Sequence, residues 1–236
     1  MSTVPEPAAD TSALLPTAAV ADASLRLGLT VRTGPVALRA LVPGTAFAGP
    51  ARPVTHLGSV DVILEVIDDA PPGAVLVVDN GGRLDEACVG DLLTLEAREA
   101  GLAGIVIWGL HRDTVQLREI GLPVVSLGTL SFGPRRVPPA GRAMRSATLD
   151  GVAVTDDDLV IADDDGLLVV GPQRRDELLE TARAIVRVES SQAERMRGGQ
   201  SLRAQLDFSE YRARQAVDAG YSLRDHLRER GGAIEV

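Results

Sequence analysis

Three short apolar runs constrain this chain most: 74–78 (AVLVV), 104–108 (GIVIW) and 122–126 (LPVVS). Each is continuous rather than alternating, the pattern of strands buried on both faces. Between the first two, at about 90–100, Leu92, Leu93, Ala97 and Ala100 recur at helical spacing before Gly101 stops the run. A shorter helix is predicted over 114–120, between the second and third runs. A β-α-β-α-β series of this kind favours parallel strands with right-handed crossovers, so the core is predicted to be α/β.

The flanks read differently. Thr17 is placed to N-cap a helix carrying Val20, Leu25 and Leu27 that ends near Gly28. VALRALV and FAGPARPV follow as strands, and a helix at about 58–69 gathers Val62, Ile63 and Val66 on one face. Beyond Gly133, PRRVPPAGR is a loop, and LDGVAVT and LVIADDDGLLVVG read as antiparallel strands joined by acidic turns. From Arg174 the chain is charged and helical, at about 174–197, 208–219 and 222–230. The expected organisation is a frayed 1–13, an α/β domain over 14–172 and a helical C-terminal arm over 173–236.

Composition narrows the function. The chain has 24 Lys and Arg against 33 Asp and Glu, a net charge of -9, and only 3% aromatic residues, which argues against nucleic-acid binding. No apolar run approaches the roughly 20 residues needed to span a bilayer. Cys88 is the one cysteine, and the N-terminal residues lack a basic and then apolar leader, so a cytoplasmic protein is expected. There is no GxGxxG, P-loop or GxSxG, and His56, His111 and His226 are not at metal-binding spacing.

Chemistry is therefore sought where parallel strands end, because α/β proteins bind ligands at the carboxyl edge of the sheet. There Asp91 opens one crossover helix while Arg112 and Asp113 leave the next strand. The helix start at Gly90 adds backbone N–H groups and the positive end of a dipole. Gly90, Asp91, Leu92 and Arg112 suit a small carboxylate, and the two aspartates suit a hard cation such as Mg²⁺ or Mn²⁺. Such a site would hold a 2-oxo acid and stabilise an enolate, the intermediate of aldol cleavage or β-decarboxylation. The plainer alternatives are that Asp91 finishes a helix end, that Asp113 and Gln116 form a capping box for 114–120, and that Arg112 is a surface ion-pair partner. Glu189 falls on the apolar stripe of the long C-terminal helix, with Leu178, Ala182, Ile185, Ala193 and Met196, where it needs an Arg across an interface or a metal-bound water.

The stretch VLVVDNGGRLDEACVGDLLTLEAREAGLAGIVIWGLHRDTVQLREIGLPVV resembles the core of the regulator of ribonuclease activity A (RraA) family, and the likeness runs from about Thr17 to about Pro172. Its catalytic members are class II 4-hydroxy-4-methyl-2-oxoglutarate/4-carboxy-4-hydroxy-2-oxoadipate aldolases. The carrying motif is an aspartate, twenty residues, then Arg-Asp, here Asp91, Arg112 and Asp113. The resemblance implies an αββα sandwich of swivelling β/β/α type, assembled as a trimer or hexamer. It implies a divalent metal bound directly by Asp113 and through water by Asp91, with Glu189 as candidate for a further carboxylate lent by a neighbouring subunit. Arg112 and the Gly90–Leu92 backbone would hold the pyruvyl oxygens of a 4-hydroxy-2-oxo diacid, with oxaloacetate decarboxylation as a related activity. Regulators of the family commonly lack the aspartate at 113; a noncatalytic protein binding a ribonuclease or another partner is the alternative. Gln116 replaces a usual acidic residue, and Trp108 and His111 replace small or polar ones, so a pocket of altered shape is expected if those two face it.

Overall fold

The computed structural model describes residues 14–136 and 145–230 and forms two units. The first contains Val31–Gln173 and the described residues up to Thr17; the second contains Ala18–Thr30 and the chain from Arg174 onward. The first holds strands β1 (Arg32–Thr33), β2 (Arg39–Ala40) and β3 (Phe47–Thr55), helix α2 (Asp61–Asp68), then β4 (Val75–Asp79) and β5 (Ala87–Val89). It continues with α3 (Asp91–Glu99), β6 (Gly104–His111), α4 (Thr114–Ile120) and β7 (Val124–Thr129). Two hairpins complete it, β8 (Ala147–Leu149) with β9 (Val152–Val154), and β10 (Leu159–Asp163) with β11 (Gly166–Val170).

Nine strands form one sheet in the order β1-β11-β10-β3-β4-β6-β7-β2, with β5 pairing beside the end of β6. β3, β4, β6 and β7 run parallel, as the three apolar runs required. β3 joins the two halves: residues 47–50 pair antiparallel with β10, and 51–55 pair parallel with β4. Each level of β3 is thus paired on one side, which lets it hold Pro50 and Pro53 without losing a ladder donor on both.

Alternation sorts the side chains into two cores. Leu76, Val78, Ile105, Ile107 and Val124 face α2, α3 and α4 through Ile63, Val66, Ala97 and Leu117. Val75, Val77, Val106 and Val125 face the other way, onto Val160, Ala162, Leu167 and Val169 of β10 and β11 and Leu149 and Val154 of the small hairpin. Because β10 and β11 belong to the same sheet, it curls over itself, giving a helix layer, a parallel sheet and a second β layer.

The second unit is helical: α1 (Thr17–Leu27), α5 (Arg175–Arg197), α6 (Leu202–Gln205), α7 (Phe208–Val217) and α8 (Leu223–Glu229). Thr17 is already helical rather than a cap; α1 buries Ala19, Val20 and Ala23 and leaves Leu25 exposed, so its packing face is built from small residues. Among the described residues no helix is long and apolar enough to cross a membrane.

Ile105 is fully buried in the helix-side core. Ile105→Ala is expected to cost about 2–5 kcal/mol in a urea titration, since the packed strand can only partly collapse onto the hole. Cys88 is 2% exposed, and burial pushes its thiol up to about 12. A maleimide should therefore label it only at the rate of unfolding; rapid labelling of the native protein would contradict this placement.

Candidate functional site

Gly90 and Arg112 meet because the strands before them are paired. β5 lies parallel to the end of β6, with Ala87 opposite Leu110 and Val89 opposite His111, and the Arg112 N–H donates to the Val89 carbonyl at 3.0 Å. β5 is unexpected from the sequence, where the segment after DNGGRLD reads as passing straight into a helix. β6 also runs three residues further than its apolar run, to His111. The two corrections together deliver the helix start at Gly90 and the Arg112–Asp113 pair to one edge.

Asp113 stands between β6 and α4. It occupies the N-cap position of α4 in the left-handed region (φ 58°, ψ 40°), yet its side chain makes no cap bond to that helix. The capping-box expectation with Gln116 fails for that reason, and Gln116 is exposed. The Asp113 carboxylate instead crosses to α3, where Oδ2 accepts from the Asp91 N–H at 3.3 Å and lies 3.3 Å from Arg112 Nε. The positive end of the α3 dipole favours a carboxylate there. A left-handed conformation is strained for a residue with a Cβ, though aspartate tolerates it better than most.

Gly90 makes the approach feasible. It caps α3 in extended backbone, and a Cβ at this position would sit 2.5 Å from Asp113 Oδ2 and 3.1 Å from Arg112 Nε. Asp91 Oδ1 accepts from the Leu92 N–H at 2.8 Å. Two N–H groups of the helix start, expected to face a ligand, are thus already bonded by the two aspartates.

A cleft of about 400 Å³ opens here, lined by Gly90, Asp91 and Arg112 and by apolar side chains that include Val60, Leu64 and Leu92. Leu92 is 77% exposed. Trp108 and His111 do not line this cleft. Trp108 packs toward the opposite face, against Gly82, while the buried His111 bonds Ser126 Oγ through Nδ1 at 2.8 Å and sits 3.3 Å from Thr114 Oγ1 through Nε2. Burial lowers the His111 pKa below its ordinary value, so the ring is a neutral partner in this network.

Among the described residues no three His, Cys, Asp or Glu side chains form a metal-holding group. The donor set nevertheless fits Mg²⁺ or Mn²⁺, which commonly takes one or two carboxylates and completes its shell with water and substrate oxygens. Asp91 and Asp113 are hard oxygen donors, and the missing Cβ of Gly90 leaves the cradle around Asp113 Oδ2 unfilled. Glu189 lies in the second unit and is exposed within the chain, where the stripe of α5 is buried at Leu178, Ala182 and Ile185.

One feature of this edge is absent from the sequence reading. Glu86, 3% exposed, accepts from Arg136 Nε at 3.1 and 3.3 Å and is also bonded by Arg136 Nη2. Arg136 Nη2 further donates to Asn80 Oδ1 at 3.1 Å, and the same oxygen lies 2.9 Å from His56 Nδ1. Since Asn80 Oδ1 is the acceptor of both, His56 carries its proton on Nδ1; its Nε2 and Asn80 Nδ2 are buried with no hydrogen-bond partner among the described residues. Burial pushes the Glu86 carboxyl up, but the Arg136 hydrogen bond and charge outweigh this and hold it below the usual range. Burial lowers the His56 pKa, keeping the ring neutral. The signal was a glutamate directly before the buried triplet Ala87–Val89, which the chain can bury only with a cation beside it.

The fold has counterparts among known proteins. Residues 17–169 match the family model described as RraA-like, Aldolase/RraA. The chain is similar to an uncharacterized protein from Pseudomonas syringae pv. tomato str. DC3000, at 30% identity and TM-score 0.69 over 82% of this chain and 96% of that one. It is similar to Streptomyces coelicolor RraAS2, an unusual member of the RNase ES inhibitor RraA protein family, at 28% identity and TM-score 0.65 over 81% and 100%. It is also similar to the RNA-processing inhibitor RraA from Thermus thermophilis, at 29% identity and TM-score 0.57 over 65% and 92%. With the family model spanning well over half of its length, this chain belongs to the RraA-like (Aldolase/RraA) family.

Proposed function

We propose that the protein is a divalent-metal-dependent pyruvate aldolase, cleaving a 4-hydroxy-2-oxo diacid to pyruvate and a second oxo acid, with oxaloacetate decarboxylation as a side activity. The observation that carries this reading is the Asp113 side chain. It leaves its own helix uncapped and reaches the start of α3, beside Arg112, at the mouth of a cleft. A carboxylate needed only to begin α4 would point at α4.

In this reading Arg112 grips the substrate carboxylate with its planar fork, and the Gly90–Leu92 turn orients the pyruvyl end. Asp113 would hold the cation directly and Asp91 through water, with Glu189 of a neighbouring subunit as an outer contributor in a trimer or hexamer. When bound, the cation supplies Lewis-acid stabilisation of negative charge developing on the 2-oxo oxygen. Asp91 stands at the helix start, placed to take the 4-hydroxyl proton directly or through water. The hydroxyl oxygen then becomes a carbonyl as the C3–C4 bond breaks. The electron pair of that bond passes to the pyruvyl half, which is protonated at C3 to give pyruvate.

A second reading is favoured by the two relatives described as inhibitors of RNA processing or of an RNase. In it the chain binds a ribonuclease or other protein without catalysis, and partner binding is insensitive to Asp113→Ala.

Pyruvate release coupled to lactate dehydrogenase separates the two. Turnover should require Mg²⁺ or Mn²⁺, stop with a chelator, and fall at least about 100-fold in Asp113→Ala, comparable to losing one electrostatic stabiliser of the transition state. Full turnover by that variant would overturn the reading. Gly90→Ala, whose methyl collides with Asp113 Oδ2, should lose turnover while the helix keeps its melting behaviour, because alanine itself suits extended backbone.

A further inference from the structure

The segment 130–136, which follows β7, runs along the carboxyl edge of the sheet and touches the site from above. The Leu130 N–H donates to the His111 carbonyl at 2.9 Å, and the Phe132 carbonyl accepts from the Ala87 N–H at 2.8 Å. Gly133 then passes so close to Arg112 that a Cβ there would lie 2.9 Å from Nη1. Pro134 lines the cleft. Two residues later Arg136 enters the buried network on Glu86 and Asn80. The segment is therefore held at its start by His111, in the middle by Ala87 and at its end by the ion pair, with the wall behind Arg112 between the last two.

We propose that the pairing of Arg136 with the buried Glu86 is a positioning clamp for Arg112: it holds Gly133 and Pro134 against the cleft and so fixes the guanidinium that grips the substrate carboxylate. Arg112 has a 46% exposed side chain and one ionic partner among the described residues, the neighbouring Asp113, so its own contacts do not determine its rotamer. Neither Glu86 nor Arg136 lines the cleft itself; Arg136 acts through the segment. A buried carboxylate is a costly way to stabilise a fold, since an apolar side chain of the same volume commonly does as well or better. The directional demand of a bidentate guanidinium on a carboxylate supplies a fixed position, which apolar packing does not. Asn80 and His56, both buried and both bonded around the same oxygen, hold the receiving end of the clamp at the ends of β4 and β3.

The activity arm of the test rests on the aldolase reading; the exchange arm does not. Arg136→Met and the double variant Glu86→Gln/Arg136→Met are compared with the wild type by amide hydrogen exchange, calorimetry, pyruvate-release kinetics and oxalate binding. Both variants should raise exchange at the Ala87 and Leu130 amides. Both should raise KM, and weaken oxalate, by roughly 10- to 100-fold with kcat largely kept, as expected when a binding group is misplaced by about an ångström. The double variant should regain most of the melting temperature lost by Arg136→Met, because the buried carboxylate left with Arg83 alone is replaced by a neutral amide, while KM stays high. Unchanged exchange, or a KM that recovers together with stability, would reduce the pair to fold stabilisation and overturn the clamp. A wild type that neither releases pyruvate nor binds oxalate would defeat the aldolase reading, and the exchange at Ala87 and Leu130 alone would then decide for or against the clamp.

Discussion

Everything at the site depends on the short parallel pairing between β5 and the last residues of β6. Three residues of β5 bring Gly90 level with Arg112, and a single missing Cβ lets Asp113 close the remaining distance. Had the chain passed from β4 directly into α3, the helix start would stop level with Trp108, short of Arg112 along the strand, because β4 pairs with β6 only as far as Asp79 and Trp108. β5 carries the polypeptide alongside the extension of β6 to His111. The small strand thus converts a general property of parallel sheets, that their carboxyl ends share an edge, into one contact between two named side chains and a helix terminus.

The strain at Asp113 belongs to the same arrangement. Placing the residue in the left-handed region turns its side chain away from α4, the helix it precedes, and toward α3, the helix it does not. The cost of such a conformation, of order 1–3 kcal/mol, is offset by the Asp91 N–H, the α3 dipole and the Arg112 charge, all of which attract the side chain to that position. Two of the attractions named from the sequence, the helix terminus and the arginine, therefore act first on Asp113 itself. An anionic ligand entering the cleft meets a terminus already shared with a carboxylate, and the added positive charge of a cation is what would make that crowding of anions favourable.

The fold was legible where burial was uniform. The runs at 74–78, 104–108 and 122–126 are buried on both faces in the structure, so continuous apolarity reported them faithfully, and the crossover helices followed from their spacing. The placement of Asp91, Arg112 and Asp113 at one edge followed in turn. The orientation of Asp113 was not legible, because capping spacing with Gln116 is satisfied by the sequence and broken only by a backbone dihedral. β5 was hidden for a different reason: three residues give too little periodicity to separate a strand from a turn, and its neighbour Glu86 looks like solvent-facing charge. Leu25 misled in the opposite direction, an apolar residue left exposed because Ala19, Val20 and Ala23 let α1 pack through small side chains. On α5 the apolar stripe continues past Ile185 in sequence while burial within the chain does not.

The two polar clusters of the edge divide the work by solvent access. Asp91, Arg112 and Asp113 remain partly exposed and adjoin the cleft, where water and ligand can exchange around them. Glu86, Asn80 and His56 are sealed beneath the loop after β4, where a charge is tolerable only with its partner in place. The sealed Glu86 carboxylate is held chiefly by Arg136, with Arg83 Nε 3.4 Å from it, and because Arg136 keeps 34% of its side chain exposed the desolvation cost falls mainly on the carboxylate. A guanidinium bonded to a sealed carboxylate is suited to fixing a wall, where a fully exposed pair, screened and mobile, would leave Gly133 and the arginine in front of it free to drift.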